Sequence, residues 1–170
     1  MTETLSPALP DDIDSLVETV LAAACDAGMT IATAESCTGG LLASLLTDVE
    51  GMSHAFERGY VVYTNDAKAD ELAVPLRLIL QNGPVSEPVA RAMAEGGLRA
   101  SGASIAVAVT GFTGAAGPDE EPGLVHFALA MGGAPTVHEE HHFGDIGRGP
   151  ARLECLRVAL RLLKAALTNR

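Results

Sequence analysis

The sequence predicts an α/β protein with a single domain, and three observations lead to this prediction. Short apolar segments rich in β-branched residues, typical of buried strands, occur at 30–35, 59–64 and 104–109. Among them lie segments whose apolar residues repeat at intervals of three and four, as in amphipathic helices. The 170 residues fit one domain, without an internal repeat or a dividing linker. Helices interspersed among apolar strands predict a layered α/β domain.

In the N-terminal half, the predicted elements follow from hydrophobic period and from capping residues. Residues 1–10 are expected to form a loose tail before the domain at 11–170. Gly28 is placed to end the first helix, because glycine readily adopts the left-handed conformation at a helix C-terminus. The predicted elements are a helix over 13–24, a strand over 30–35, a helix over 40–47, a loop over 51–57, a strand over 59–64, and a helix that starts at Asn65 or Asp66 and contains Lys68.

In the C-terminal half, a further helix is predicted to start with Ser86 as its N-cap and Pro88 in its first turn. The apolar strand over 104–109 is expected to be central in the sheet and to end at Thr110 and Gly111. The remaining predicted elements are a glycine-rich loop over 111–123, paired strands over 124–131 and 136–143, and a closing amphipathic helix over 153–167.

Composition argues against several classes of function. The formal net charge of −11 argues against general nucleic-acid binding, which needs a basic surface. The first residues lack the pattern of a signal peptide, and no apolar run approaches the roughly 20 residues of a transmembrane helix. Three widely spaced cysteines without a CxxC motif are typical of a reducing compartment. We therefore expect a cytoplasmic protein that binds neither nucleic acid nor membranes.

The run AESCTGG at 34–40 is the strongest candidate for an active site. It lies between a predicted strand and a predicted helix, so Ser36 and Cys37 stand where backbone N–H groups can stabilise negative charge. Ser36 is either a helix N-cap or a nucleophile, and the nucleophile-elbow pattern GxSxG is absent. Cys37 is either a small buried side chain or a weaker candidate nucleophile than Ser36.

A serine nucleophile needs a neutral base nearby, and Lys68 is the candidate. The chain has only two lysines, and a desolvated lysine can act as a base whereas arginine cannot. The alternative is an ordinary exposed lysine in the first turn of a helix. Tyr60 and Tyr63 would point to opposite faces of a strand, so at most one of them faces a given site. Thr110 ends the predicted central strand, which is where α/β sheets bind ligands.

Two other motifs are weak. HEEHH at 138–142 matches HExxH, but on a strand His138 and His142 would be roughly 13 Å apart and could not share one zinc ion. The glycine pattern at 111–117 matches neither the dinucleotide fingerprint nor a P-loop. No metal site is therefore predicted. Arg148 and Arg152 lie at the start of the last helix. They either belong to its exposed face or bind an anionic group of a ligand.

Four motifs, taken together and in this order, resemble the CinA C-terminal domain family, which contains competence/damage-inducible proteins and nicotinamide-nucleotide amidases. The resemblance covers nearly the whole chain from about residue 12. A stand-alone form is expected, since the larger nucleotide-binding domain that precedes this module in many relatives is missing here. The motifs are TAESCTGGLLA at 33–43, ERGYVVYTNDAK at 57–68, GPVSEPVARAMAEG at 83–96 and IAVAVTG at 105–111.

The resemblance implies a three-layer α/β/α sandwich with a mixed central sheet. It also implies hydrolysis of nicotinamide mononucleotide to nicotinate mononucleotide and ammonia, a step of pyridine-nucleotide salvage that requires no metal or organic cofactor. Ser36 matches the family's nucleophile and Lys68 its base, and Tyr63 and Thr110 match the polar residues around them. N–H groups of the turn at 37–40 are expected to hold the oxyanion. The residues expected to contact substrate are Glu35, Cys37, Thr38, Gly39, Gly40, Asn65, Gly111, Arg148 and Arg152.

Two departures from the family's pattern leave other functions open. The loop at 112–123 is shorter and more acidic than in relatives, and GDIGR at 144–148 replaces Gly-Asp-Arg. Both changes lie where ribose and phosphate are expected. One alternative is a catalytically silent nucleotide-binding or regulatory module linked to competence or the response to DNA damage. The other is an amidase for a different small amide. A homo-oligomer is compatible with each of these functions.

Overall fold

The computed structural model describes residues 9–114 and 117–168. Most of the tail predicted at 1–10 therefore lies outside the described residues. The helices are α1 (Asp11–Ala27), α2 (Leu41–Leu45), α3 (Asn65–Leu72), α4 (Leu76–Asn82), α5 (Glu87–Ser101) and α6 (Arg148–Thr168). The strands are β1 (Ile31–Glu35), β2 (Phe56–Val61), β3 (Ile105–Gly111), β4 (Leu124–Met131) and β5 (Val137–His142).

The five described strands form one mixed sheet in the order β2-β1-β3-β4-β5. β1 pairs in parallel with both β2 and β3, whereas β4 pairs antiparallel with β3 and with β5. β1 is buried along its whole length and β3 along all but its last residue, as expected for strands covered on both faces. The predicted α/β class, the mixed sheet and the central position of the strand after 104 are confirmed.

Helices cover both faces of the sheet and complete the three predicted layers. α1 and α6 pack on the face that carries Val107 and Val109, where the larger core residues lie. α3, α4 and α5 cover the opposite face, which carries alanines such as Ala34 and Ala108. A Cβ at Gly97 would lie 3.6 Å from the Cβ of Ala34, so small residues on both sides let α5 pack close to the sheet.

The close packing of α3 against α5 depends on Gly96. A Cβ at this position would overlap the carbonyl oxygen of Leu72, at the end of α3. Because only glycine fits this contact, α3 lies directly against α5. This contact also fixes the position of Lys68, because Lys68 lies on α3.

The structure corrects several predicted boundaries on the N-terminal side. The predicted helix over 40–47 contains only the five residues of α2. β2 begins and ends three residues before the predicted strand over 59–64, because an edge strand can expose charged residues such as Glu57 and Arg58 to solvent. The N-cap of α3 is Thr64, whose hydroxyl oxygen accepts a hydrogen bond from the N–H of Ala67. α4 was not predicted.

The described elements of the C-terminal half agree with their predictions, and residues 115 and 116 of the predicted loop over 111–123 lie outside the described residues. Ser86 is the N-cap residue of α5, although its hydroxyl donates to the carbonyl of Gly83 and makes no capping bond. β4 and β5 form the predicted antiparallel pair, and the predicted last helix is contained in α6. None of the helices in the described part of the chain is long and apolar enough to cross a membrane.

Candidate active site

Ser36 lies in a tight turn, the nucleophile turn (residues 36–40), between β1 and α2. Its N–H donates to the carbonyl of Val109 at 3.0 Å, which fixes the turn to the end of β3. Gly39 and Gly40 have φ values of 64° and 93°, a conformation that other residues adopt at a cost. Ser36 is buried at this turn, with 7% of the residue exposed.

Glu35 holds this turn from inside the protein. It is fully buried, and its Oε2 accepts hydrogen bonds from the N–H groups of Gly40 and Leu42. Its Oε1 accepts from the N–H of Ala43 and from the hydroxyl of Thr33. The prediction that Glu35 contacts substrate is wrong, because both of its oxygens are occupied by the N-terminus of α2 and by β1.

The same contacts reduce the number of N–H groups that can face an oxyanion. The N–H of Gly39 donates to the carbonyl of Ser36, and the N–H of Gly40 donates to Glu35. Among the described residues, the N–H groups of Cys37 and Thr38 have no partner. The hydroxyl of Thr38 is also buried without a hydrogen-bond partner. The sequence predicted that the oxyanion binds the N–H groups of residues 37–40, and the structure reduces this set to the N–H groups of residues 37 and 38.

Lys68 lies at the turn, on α3, and is only 1% exposed. Its Nζ lies 3.0 Å from Ser36 Oγ, 2.9 Å from the carbonyl oxygen of Val62 and 3.3 Å from that of Tyr63. No carboxylate is among these partners. The interpretation of Lys68 as an ordinary exposed lysine is therefore wrong.

The surroundings of Lys68 favour the neutral amine. Burial lowers the pKa of Lys68 below its usual range, and the neighbouring Cys37 thiol offsets part of this effect. A neutral amine has two N–H groups and one lone pair. The two N–H groups match the carbonyls of Val62 and Tyr63, and the lone pair then faces the Ser36 hydroxyl.

The structure distinguishes the two tyrosines. Tyr63 is 67% exposed and lines a cavity beside the nucleophile turn. Tyr60 packs instead against the apolar cluster beneath α5, with its hydroxyl buried and unpaired. Thr110 is buried, and its hydroxyl donates to the carbonyl of Pro84 at 2.8 Å. In this structure its side chain connects β3 to the segment before α5.

The cavity has a volume of about 260 Å³, slightly smaller than the roughly 300 Å³ at the lower end of small-molecule sites. Of the described residues that line it, half were predicted from the sequence as site residues and half were not. The predicted ones are Cys37, Tyr63, Gly111 and Arg148, and the others are Phe112, Thr113, Gly114 and Glu120. The second set belongs to the loop between β3 and β4, which the sequence indicated as a whole, through its glycines, its length and its acidic composition, without indicating these residues individually.

Arg148 and Arg152 both lie at the start of α6 but have different surroundings. The guanidinium of Arg148 lines the cavity and packs against Gly114, where a Cβ would be only 2.5 Å from Nη2. Arg152 Nε donates to the carbonyl of Cys37 at 2.9 Å, so this side chain supports the nucleophile turn. Asn65, at the start of α3, is exposed and is not among the residues that line the cavity.

Cys37 contacts a residue that the sequence did not connect with it. The hydrogen bond with the Cys37 thiol, together with burial, raises the pKa of Cys155 on α6. Both thiols are buried, and all three cysteines are free. Cys155 is therefore a protonated, neutral thiol next to Cys37.

The histidines of the HExxH match lie on β5, as the strand prediction required. His138 Nε2 lies 3.0 Å from Nδ1 of His126 on β4, and the two rings are stacked. Glu140 and His142 also pair with each other, at 2.9 Å. Within residues 9–114 and 117–168, no three histidine, cysteine or acidic side chains are arranged to hold a metal ion.

The fold and the site together define an α/β domain with a buried serine–lysine pair beside the carboxyl end of a parallel strand. The chain belongs to the CinA C-terminal domain family, whose sequence profile matches residues 13–167. The crystal structure of the competence/damage inducible protein CihA from Agrobacterium tumefaciens is 41% identical, with a TM-score of 0.90 over 100% of both chains.

Two curated relatives are longer than this chain. A protein of Symbiobacterium thermophilum, described as competence-damage inducible, is 51% identical over 130 residues, which are 73% of this chain and 30% of that protein. A CinA-like protein of Anaeromyxobacter dehalogenans is 44% identical over 157 residues, which are 91% of this chain and 38% of that protein. The chain thus spans about a third of the length of these relatives.

Proposed function

We propose that this protein hydrolyses the carboxamide of nicotinamide mononucleotide, giving nicotinate mononucleotide and ammonia. The observation that carries the proposal is the 3.0 Å distance between Ser36 Oγ and the Nζ of the buried Lys68. A serine beside a neutral amine is the arrangement needed for nucleophilic attack on an amide. Family membership supports the proposal, but the relatives' names state no amidase activity.

In the first half of the proposed reaction, Lys68 takes the proton of the Ser36 hydroxyl as Oγ attacks the carboxamide carbon. The tetrahedral oxyanion that forms accepts hydrogen bonds from the N–H groups of Cys37 and Thr38. Protonated Lys68 then returns its proton to the amide nitrogen. The C–N bond breaks, ammonia leaves, and the nicotinoyl group remains as an ester on Ser36.

In the second half, a water molecule attacks the ester carbon. Lys68, neutral again, accepts the proton of this water and afterwards gives a proton to Ser36 Oγ as the ester bond breaks. Nicotinate mononucleotide leaves and the free hydroxyl is restored. Arg152 and Glu35 contribute by holding the turn, through the carbonyl of Cys37 and the N–H groups at the start of α2.

The cavity supports a mononucleotide as the substrate. Arg148 lines it at the first residue of the 21-residue helix α6, where both the guanidinium and the helix dipole attract an anion such as a phosphate. Tyr63 and Phe112 offer aromatic surface for a planar ring. The cavity borders the nucleophile turn at Cys37, one residue after Ser36.

The proposal is tested by incubating the purified protein with nicotinamide mononucleotide and measuring ammonia and nicotinate mononucleotide. We expect stoichiometric formation of both products. Ser36→Ala should lower the rate by about a thousandfold or more, because it removes the oxygen on which the proposed ester forms. Ser44→Ala is the matched control, since Ser44 lies nearby on α2 with an exposed side chain.

Three outcomes would contradict the proposal in whole or in part. Turnover that survives Ser36→Ala would exclude Ser36 as the nucleophile. Tight binding of the nucleotide by the parent protein without any ammonia release would favour a nucleotide-binding or regulatory module instead. Turnover of another small amide but not of the mononucleotide would keep the serine–lysine mechanism and change the substrate.

A further inference from the structure

We infer that Glu120 is a specificity-determining residue of the cavity, which distinguishes a positively charged ring from a neutral ring of the same shape. The inference rests on the proposed function and deepens it. The proposed substrate carries a positive charge on its pyridinium ring and a negative charge on its phosphate. Nicotinamide mononucleotide has both charges in one molecule.

The cavity carries one charged side chain of each sign. Arg148 and Glu120 both line it, and within the described residues no ion pair joins them. Each is therefore available to a ligand group of the opposite charge. A pocket that only bound phosphate would gain nothing from a carboxylate, which repels an anion.

The loop holds the carboxylate of Glu120 in place. Its Oε2 accepts a hydrogen bond from the N–H of Gly117 at 2.7 Å, and its own N–H donates to the carbonyl of Gly117 at 3.1 Å. Among the described residues, Oε1 has no partner. The local turn thus orients the exposed carboxylate and leaves one oxygen for a ligand.

The aromatic side chains of the cavity favour the same charge. Tyr63 and Phe112 line it together with Glu120. A ring that carries a positive charge is attracted by aromatic faces as well as by a carboxylate. A neutral ring of the same shape gains the packing but neither electrostatic interaction. Charge on the ring, in addition to its shape, should therefore determine affinity.

The test compares nicotinamide mononucleotide with its reduced dihydro form, which has nearly the same shape but an uncharged ring. Binding is measured by calorimetry on the Ser36→Ala protein, so that no ligand is consumed. We expect the oxidised form to bind about tenfold more tightly, as a charge pair and a cation–π contact in a partly exposed site would provide. Glu120→Gln should reduce this ratio to about threefold.

Glu121→Gln is the matched control, because Glu121 pairs with His142 Nδ1 at 2.7 Å and does not line the cavity. It removes the same charge one residue away and should keep the tenfold ratio within about twofold. Equal affinity for the two forms would overturn the inference. So would a Glu120→Gln protein that binds both forms more weakly but by the same factor, since Glu120 would then contact the ribose hydroxyls. A charge-dependent ratio without ammonia release by the parent protein would support the inference and contradict the proposed amidase.

Discussion

Replacement of Lys68 by methionine tests the serine–lysine pair most directly. Methionine keeps an unbranched side chain of similar length in the buried position but cannot accept a proton. At 3.0 Å from Ser36 Oγ, Lys68 is within the distance required of a general base, a role that contributes roughly 10²- to 10⁴-fold to the rate. We therefore expect kcat for ammonia release to fall by about 10²- to 10⁴-fold, equivalent to about 3 to 5 kcal/mol of barrier.

The dependence of the rate on pH distinguishes a base from a residue that only maintains the structure. Because burial lowers the pKa of Lys68, the fraction of neutral amine, and with it the rate, should rise as the pH increases toward that pKa. This rising limb should be absent in Lys68→Met and in Lys68→Arg, since a guanidinium stays protonated. Circular dichroism and thermal melting would verify that both variants are folded.

Lys164, the only other lysine, provides the matched control because it is exposed on α6. Lys164→Met should leave kcat and the pH profile unchanged. A Lys68→Met protein that is folded and retains more than about a tenth of the parent rate would refute the assignment of Lys68 as the base. A parent pH profile that persists in Lys68→Arg would refute it as well.

Three further outcomes follow from contacts around the site. Gly114→Ala should displace the guanidinium of Arg148, since the new Cβ would lie 2.5 Å from Nη2. We expect KM for the mononucleotide to rise about tenfold, with a smaller change in kcat. An unchanged KM would contradict the role given to Arg148. Glu35→Gln should lower the free energy of unfolding, measured by chemical denaturation, by about 2 to 4 kcal/mol. The reason is that an amide cannot accept all the hydrogen bonds that the buried carboxylate accepts. A loss under about 0.5 kcal/mol would show that the nucleophile turn does not need these hydrogen bonds. Burial lowers the pKa of His126, so the unfolded state binds more protons and stability should fall as the pH drops below about 6.5. The decrease of the melting temperature with falling pH should therefore be smaller in His126→Gln. An equal decrease in the variant would exclude His126 as its source.

The sequence by itself determined the fold class and the position of the nucleophile turn. The spacing of apolar residues along the chain is a local property, and it was sufficient to locate β1, β3 and α6. The order strand, glycine turn, helix placed Ser36 at a helix start for the same local reason. The boundaries of β2 and the existence of α4 were not predicted, because an exposed edge strand and a short helix give weak periodic signals.

Tertiary structure alone decided what each polar residue of the site can do. Lys68 is 32 positions from Ser36, and its burial against Ser36 results from the packing of α3 on α5 and the sheet. Glu35 is buried at the end of β1, and the N–H groups that donate to its carboxylate belong to the next turn and helix, at Gly40 and Ala43. Glu120 lines the same cavity as Arg148, although the two residues are far apart in the chain. Burial, and with it protonation state and access to a ligand, depends on contacts between segments that are far apart in the chain, which a local pattern does not contain.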